Sequence, residues 1–244
     1  MAARTRGPWG RARAHAGWEL RLLLRNGEQL LLVFVIPIAL LVGLRALGVD
    51  WLGGSVPVPT VLAVSILATA FTSLAIATGF ERRSGALEFL GTTPLTRMDL
   101  LIGKLAATVC LTVVSVGAIL LIGVLLGWQP RASWLAALVV ATIGVMAAGS
   151  WAIVMAGALR AEAVLALANA LFILLVMFGG VIIPASRLPE PLATIVTFLP
   201  SGALAEGLRT SLASQAWPWA SMGILLTWAC AGTLVARRTF RWAP

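Results

Sequence analysis

Long runs without a single charged residue alternate with short polar segments along this chain. No charge occurs between Asp50 and Glu81, Lys104 and Arg131, Arg131 and Arg160, Glu162 and Arg187, or Arg209 and Arg237. Each interval holds 24 to 30 residues, more than the ~20 apolar residues that carry a helix across a bilayer. A sixth, shorter interval from Glu28 to Arg45 is near the lower limit, and the long Arg45 side chain can reach the interface. The pattern predicts an all-α polytopic membrane protein with six transmembrane helices. After the first, they are expected near 60–80, 100–126, a stretch ending about 159, 163–183 and 217–236.

Finer periodicities add detail. From Trp9 to about Gly27, Ala16, Leu20, Leu23, Leu24 and Leu31 form one apolar stripe, with Arg11, His15, Arg21 and Arg25 opposite. This reads as an interfacial helix, with Trp9 and Trp18 at headgroup level. Pro37 falls inside the first span, where a neighbour must satisfy the carbonyl that its missing N–H leaves free. Trp128 and Trp134 flank a tight turn, as interfacial aromatics do. Past the fifth span, Pro184, Pro189, Pro191 and Pro200 punctuate a segment whose apolar stretch, 192–205, is too short to cross. A re-entrant or interfacial outer hairpin is expected there. The chain reads as one domain, 1–244, with an interfacial helix over 1–28, a bundle over 29–236 and a tail over 237–244.

Charge orients this plan. Hydrophobic residues make up 60% of the chain and charged ones 11%, too few to cover a soluble domain. Fourteen of the basic residues fall on one side of the six-span scheme, leaving Arg45, Arg131, Arg187 and Arg209 on the other. The positive-inside rule therefore places both termini in the cytoplasm of a cell (inner or plasma) membrane protein. The net charge of +9 is a topology signal with attraction to anionic membrane lipids, and no nucleic-acid partner is expected. No cleavable leader is expected either, because about 29 residues precede the first apolar run. Cys110 and Cys230 fall within spans and read as buried, inert thiols. His15 precedes the spans and is not expected to bind metal or act as a base.

The densest polar cluster lies between the second and third spans. As one helix, it would put Glu81, Gly85 and Glu88 on a face and Phe80, Leu87 and Leu90 opposite. Pro94 would end it, and Thr96 with Asp99 three residues on is a capping box opening the next helix. A short amphipathic helix, charged face outward, is expected as a docking surface.

These residues carry a resemblance. Glu81-Arg82-Arg83-Ser84-Gly85-Ala86-Leu87-Glu88, then Thr93-Pro94-Leu95-Thr96-Arg97 and Gly103-Lys104, resemble the signature of the ABC type-2 permease family. So do Gly179-Gly180-Val181-Ile182-Ile183-Pro184, Leu188-Pro189, Phe198-Leu199-Pro200 and Ala205-Glu206-Gly207-Leu208-Arg209 between the last two spans. Phe89 and Gly91 stand where that family often has aliphatic residues. The resemblance implies the permease subunit of an exporter of drugs, polysaccharides or lipids. It makes the first motif a coupling helix seated on an ATPase, with Glu81, Arg82, Arg83, Gly85, Glu88, Pro94, Leu95 and Arg97 as contact residues. It makes the second an outer gate built from Gly179, Gly180, Pro184, Pro189, Pro200, Glu206 and Arg209. It further implies two copies of an ABC ATPase carrying ATP and Mg, and a second permease subunit, identical or homologous.

The chain itself lacks enzyme chemistry. Gly103-Lys104 is followed by Leu105 and lacks the earlier glycine of a phosphate loop, so no cofactor is expected on this chain. His-Glu-x-x-His and Gly-x-Ser-x-Gly are absent. No carboxylate lies deep in a span, unlike ion-coupled carriers. The alternative reading is a non-transporting membrane scaffold or assembly factor. The cargo is expected to be amphipathic or lipid-like.

Overall fold

The computed structural model describes residues 8–46, 57–92, 96–129, 132–214 and 216–239. Among them every regular element is helical, and helix α1 (Pro8–Arg25) opens the order. Next comes a continuous helical run, α2 (Gly27–Leu30), a π-helical turn (Leu31–Val35) and α3 (Ile36–Ala46). The second long helix likewise consists of α4 (Val58–Ile66), a π stretch (Leu67–Ser73) and α5 (Leu74–Arg83). Then follow α6 (Ala86–Gly91), α7 (Arg97–Leu125), α8 (Trp134–Ala158) and α9 (Ala161–Phe178). Two short helices, α10 (Leu192–Phe198) and α11 (Pro200–Ala213), precede α12 (Trp219–Thr239).

Among the described residues five helices are long and apolar enough to cross a membrane: Val58–Arg83, Met98–Leu125, Trp134–Ala158, Ala161–Phe178 and Trp219–Thr239. The first expected span appears as a shorter apolar helix, Val33–Ala46. Its interruption has a physical cause. Pro37 has no N–H for the Val33 carbonyl, and just before it the ladder widens so that Ile36 N–H bonds Leu31 O. Ser115 Oγ on α7 donates to Val33 O at 2.8 Å, supplying the partner that the proline removed.

The bundle packs around α8. This helix is apolar on all sides and buries residues around its whole circumference, from Ala136 to Gly157. It contacts α5, α7, α11 and α12. Small residues let these neighbours close in: a Cβ at Gly144 would meet Leu204 at 2.6 Å, and one at Gly149 would meet Leu105 at 2.5 Å. At the start of α7 the expected capping box is present. Asp99 N–H donates to Thr96 Oγ1 at 3.1 Å and Thr96 N–H to Asp99 Oδ2 at 3.0 Å.

Two expectations need correcting. Cys110 and Cys230 are free but exposed on the outside of their helices. On α1, His15, expected on the polar side with Arg11, Arg21 and Arg25, is buried together with Glu19 against α7.

Candidate functional site

The motif between the second and third long helices does not form one continuous helix. Helix α5 stops at Arg83, and Gly85, at φ +78°, turns the chain into α6. The left-handed conformation suits glycine and closes the helix end, with Ser84 N–H bonding Phe80 O at 2.9 Å. The turn abolishes the expected face of Glu81, Gly85 and Glu88. The helical phase is lost at Ser84–Gly85, and the two acids serve different surroundings.

Glu81 points into the bundle. Lys104 Nζ, on α7, lies 2.7 Å from Glu81 Oε2 and 2.8 Å from Glu19 Oε1 on α1. The Lys104 side chain is almost wholly enclosed, so a buried cation is paired on both sides, the arrangement that makes such burial tolerable. A cavity of about 100 Å³ lies alongside, lined by these three charges and by Asn26, Thr69, Ser73 and Thr108. Arg82 is buried too. Its two guanidinium nitrogens donate to Gly157 O and Leu159 O, each at 2.5 Å, capping the carbonyl end of α8. Arg83 is outside and forms an ion pair with Glu162 at the start of α9. Leu87 is fully buried beneath α6, whereas Glu88 is exposed and Phe89 is 72% exposed.

The residues expected to meet a partner therefore divide. Glu88 stands on the exposed tip; Arg82 is buried and Glu81 half-buried with its carboxylate on Lys104, against the expectation of one outward charged face. Pro94 and Leu95 lie outside the described residues, and Arg97 opens α7.

Sequence reasoning missed the roles of His15, Glu19 and Lys104. His15 Nε2 is buried 3.3 Å from Glu19 Oε1 without hydrogen-bond geometry, and its ring fills the space that a Cβ at Gly103 would take. Burial, then the Lys104 cation, lowers its pKa to about 4, while Glu81 and Asp99 oppose the shift. Two signals were available: Lys104 is the single lysine of the chain, and Glu19 stands one turn after the single histidine. No group of three His, Cys, Asp or Glu side chains among the described residues is placed to hold a metal.

The second motif builds the opposite end. Helix α9 stops at Gly179, and Gly180 takes φ +82°. Arg209 on α11 donates to Gly180 O at 3.0 Å and to Val181 O, with Glu206 3.7 Å from its guanidinium. Ser201 Oγ donates to Gly179 O at 2.9 Å. Pro200 occupies the first turn of α11, where a missing N–H costs nothing. The structure thus joins Gly179, Gly180, Pro200, Glu206 and Arg209. Pro184 and Pro189 lie on the connecting segment, half-buried and exposed respectively. Helix α11 is mostly buried against α4, α8 and α12, so this region is packed structure and not a loose loop.

No curated protein matches the chain. Residues 14–234, from the buried His15 region of α1 to the last turns of α12, match the ABC-2 type transporter family. Both motif regions fall within the match, which takes in most of the chain. The protein is a multi-pass membrane component and belongs to the ABC-2 type transporter family.

Proposed function

We propose that the chain is the permease subunit of an ATP-binding cassette exporter. In this reading it crosses the cell membrane six times, with both termini and the α5–α6 turn in the cytoplasm and α10–α11 as a re-entrant outer hairpin. Helix α6 is the coupling helix, and each of two ATPase subunits seats on one such helix. A second permease copy, identical or homologous, completes a path for an amphipathic or lipid-like cargo. ATP and Mg belong to the ATPase.

One observation carries the reading. The exposed Glu88–Phe89 tip sits on a root tied to four helices: α1 and α7 through Lys104, α8 through Arg82, and α9 through Arg83. A displacement of α6 is passed to all of them, because packed, paired elements move as units and not by bending. A scaffold has no need for such a joint. At the outer end, the Gly179–Gly180 break under Arg209 supports a gate that opens as α9 shifts.

The test changes only the tip. Glu88→Arg and Phe89→Ala are expected to abolish copurification of the ABC ATPase and stimulated hydrolysis while leaving thermal unfolding of the permease unchanged. Wild-type association and hydrolysis in both variants would return α6 to a plain topogenic turn. Orientation is checked separately in a cysteine-free background: an impermeant thiol reagent on intact cells should label Ser133→Cys and not Ser84→Cys.

A further inference from the structure

Helix α9 is packed unevenly along its length. Its buried positions, Ala161, Val164 and Ala168, all lie in the first half. In the second half Ile173, Leu174, Met177 and Phe178 are exposed, while Leu171, Phe172 and Val176 pack against the core. The space left between α9, α8, the π stretch, α11 and α12 is a cavity of about 280 Å³. Phe71 and Ala148 line its buried side, and Trp151, Leu171, Leu175 and Trp228 are half-buried at its opening.

The chemistry of the lining is one-sided. Its lining side chains are apolar. The two with polar atoms are already occupied: Trp151 Nε1 donates to Trp228 O at 3.1 Å, and Trp228 Nε1 to Phe198 O at 2.9 Å. A guest that needs a hydrogen bond finds no free donor on these side chains. Apolar cavities of ~150 Å³ stay dry and take up benzene. This one has room for a longer apolar segment, and it opens among helices long and apolar enough to cross a bilayer, the medium that supplies alkyl chains.

We propose that this cavity is a binding site for a single acyl chain of a bilayer phospholipid, inserted sideways between α9 and α12 beneath the α10–α11 hairpin. The chain occupies the space between the second half of α9 and α8. This site lies within one permease chain and does not depend on the ATPase-coupling reading. An ATPase that fails to bind Glu88 would leave it intact.

The full chain is reconstituted in vesicles of phosphatidylcholine bearing a photoactivatable diazirine near the end of one acyl chain, and the cross-linked residues are mapped. Labelling is expected at Phe71 and Ala148, which surrounding lipid does not reach, as well as at exposed Ile173 and Phe178. In Ala148→Leu, which narrows the cavity beside Phe71, labelling at Phe71 is expected to fall sharply while that at Ile173 and Phe178 persists. Ala148→Val provides a gentler variant should leucine prevent folding. Labelling confined to Ile173, Phe178 and other exposed positions in the wild-type chain would overturn the proposal. So would undiminished Phe71 labelling in a folded Ala148→Leu or Ala148→Val variant.

Discussion

At the basic end of the bundle the Arg82 guanidinium holds the carbonyls of Gly157 and Leu159; at the hairpin end Arg209 holds those of Gly180 and Val181. The two ends lie about 27 Å apart, the length of α9 at 1.5 Å per residue. Each arginine closes the carbonyl terminus of a helix with a planar fork of donors, a task to which lysine's single ammonium is poorly matched. What surrounds each arginine differs. At the basic end the neighbours are charges, with Lys104 between Glu19 and Glu81 and Arg83 on Glu162. At the hairpin end they are close backbone approaches through Gly179, Gly180 and Gly202. One end is specified by charge and should fail when charge is changed. The other is specified by volume and should fail when atoms are added.

The largest effect is expected at Lys104. Lys104→Met leaves Glu19 and Glu81 facing each other without a cation, and breaking such a buried set costs about 3–5 kcal/mol. Thermal unfolding in detergent should show the loss, and adding Glu19→Gln with Glu81→Gln should recover much of it. No recovery would mean that packing, and not charge, governs this end.

Next comes the hairpin. A Cβ at Gly202 would overlap the Val196 carbonyl and lie 3.2 Å from Gly179 O, both backbone groups with little freedom to yield. Gly202→Ala is expected to cost about 1–3 kcal/mol, whereas a charge change at exposed Glu206 should be nearly silent by the same measurement.

A smaller, local effect follows from His15. Its pKa is about 6.5 when unfolded and about 4 in place, so the folded state favours the neutral ring. The resulting stability is complete above pH 6.5 and is lost as pH falls from there towards 4, where the unfolded state binds the extra proton. The groups facing the ring are Glu19 on its own helix, Lys104 and Asp99 on α7 and Glu81 on α5. Limited proteolysis of α1 should accelerate across this window, and His15→Leu should flatten the response. The smallest effect is expected at the tip: Glu88→Gln should shift unfolding by less than about 0.5 kcal/mol, since Glu88 is exposed and no ion pair holds it among the described residues.

Span-length helices were legible because membrane crossing demands a crude quantity, an uncharged length, that any sequence displays. The capping box was legible because Thr96 and Asp99 are neighbours in the chain. The α5–α6 turn was not. Local periodicity extends a helix straight through Ser84–Gly85, and it does not register the left-handed backbone of Gly85 that ends α5. The burial of His15 escaped as well, since Gly103 and Lys104, which enclose it, lie far along the chain on α7.

The hydroxyl of Ser115 also reaches 3.4 Å to Ser65, so it stands among three chain segments while serving the carbonyl that Pro37 strands. Residues 37 and 115 are therefore conditional on one another. While proline occupies 37, an apolar residue at 115 leaves a buried carbonyl unanswered. Once alanine replaces the proline and the helix recovers its own bond, serine becomes dispensable. A substitution harmful alone and harmless in company is the genetic signature that a borrowed hydrogen bond leaves behind, and it gives this chain one place where the order of mutational steps decides which are open.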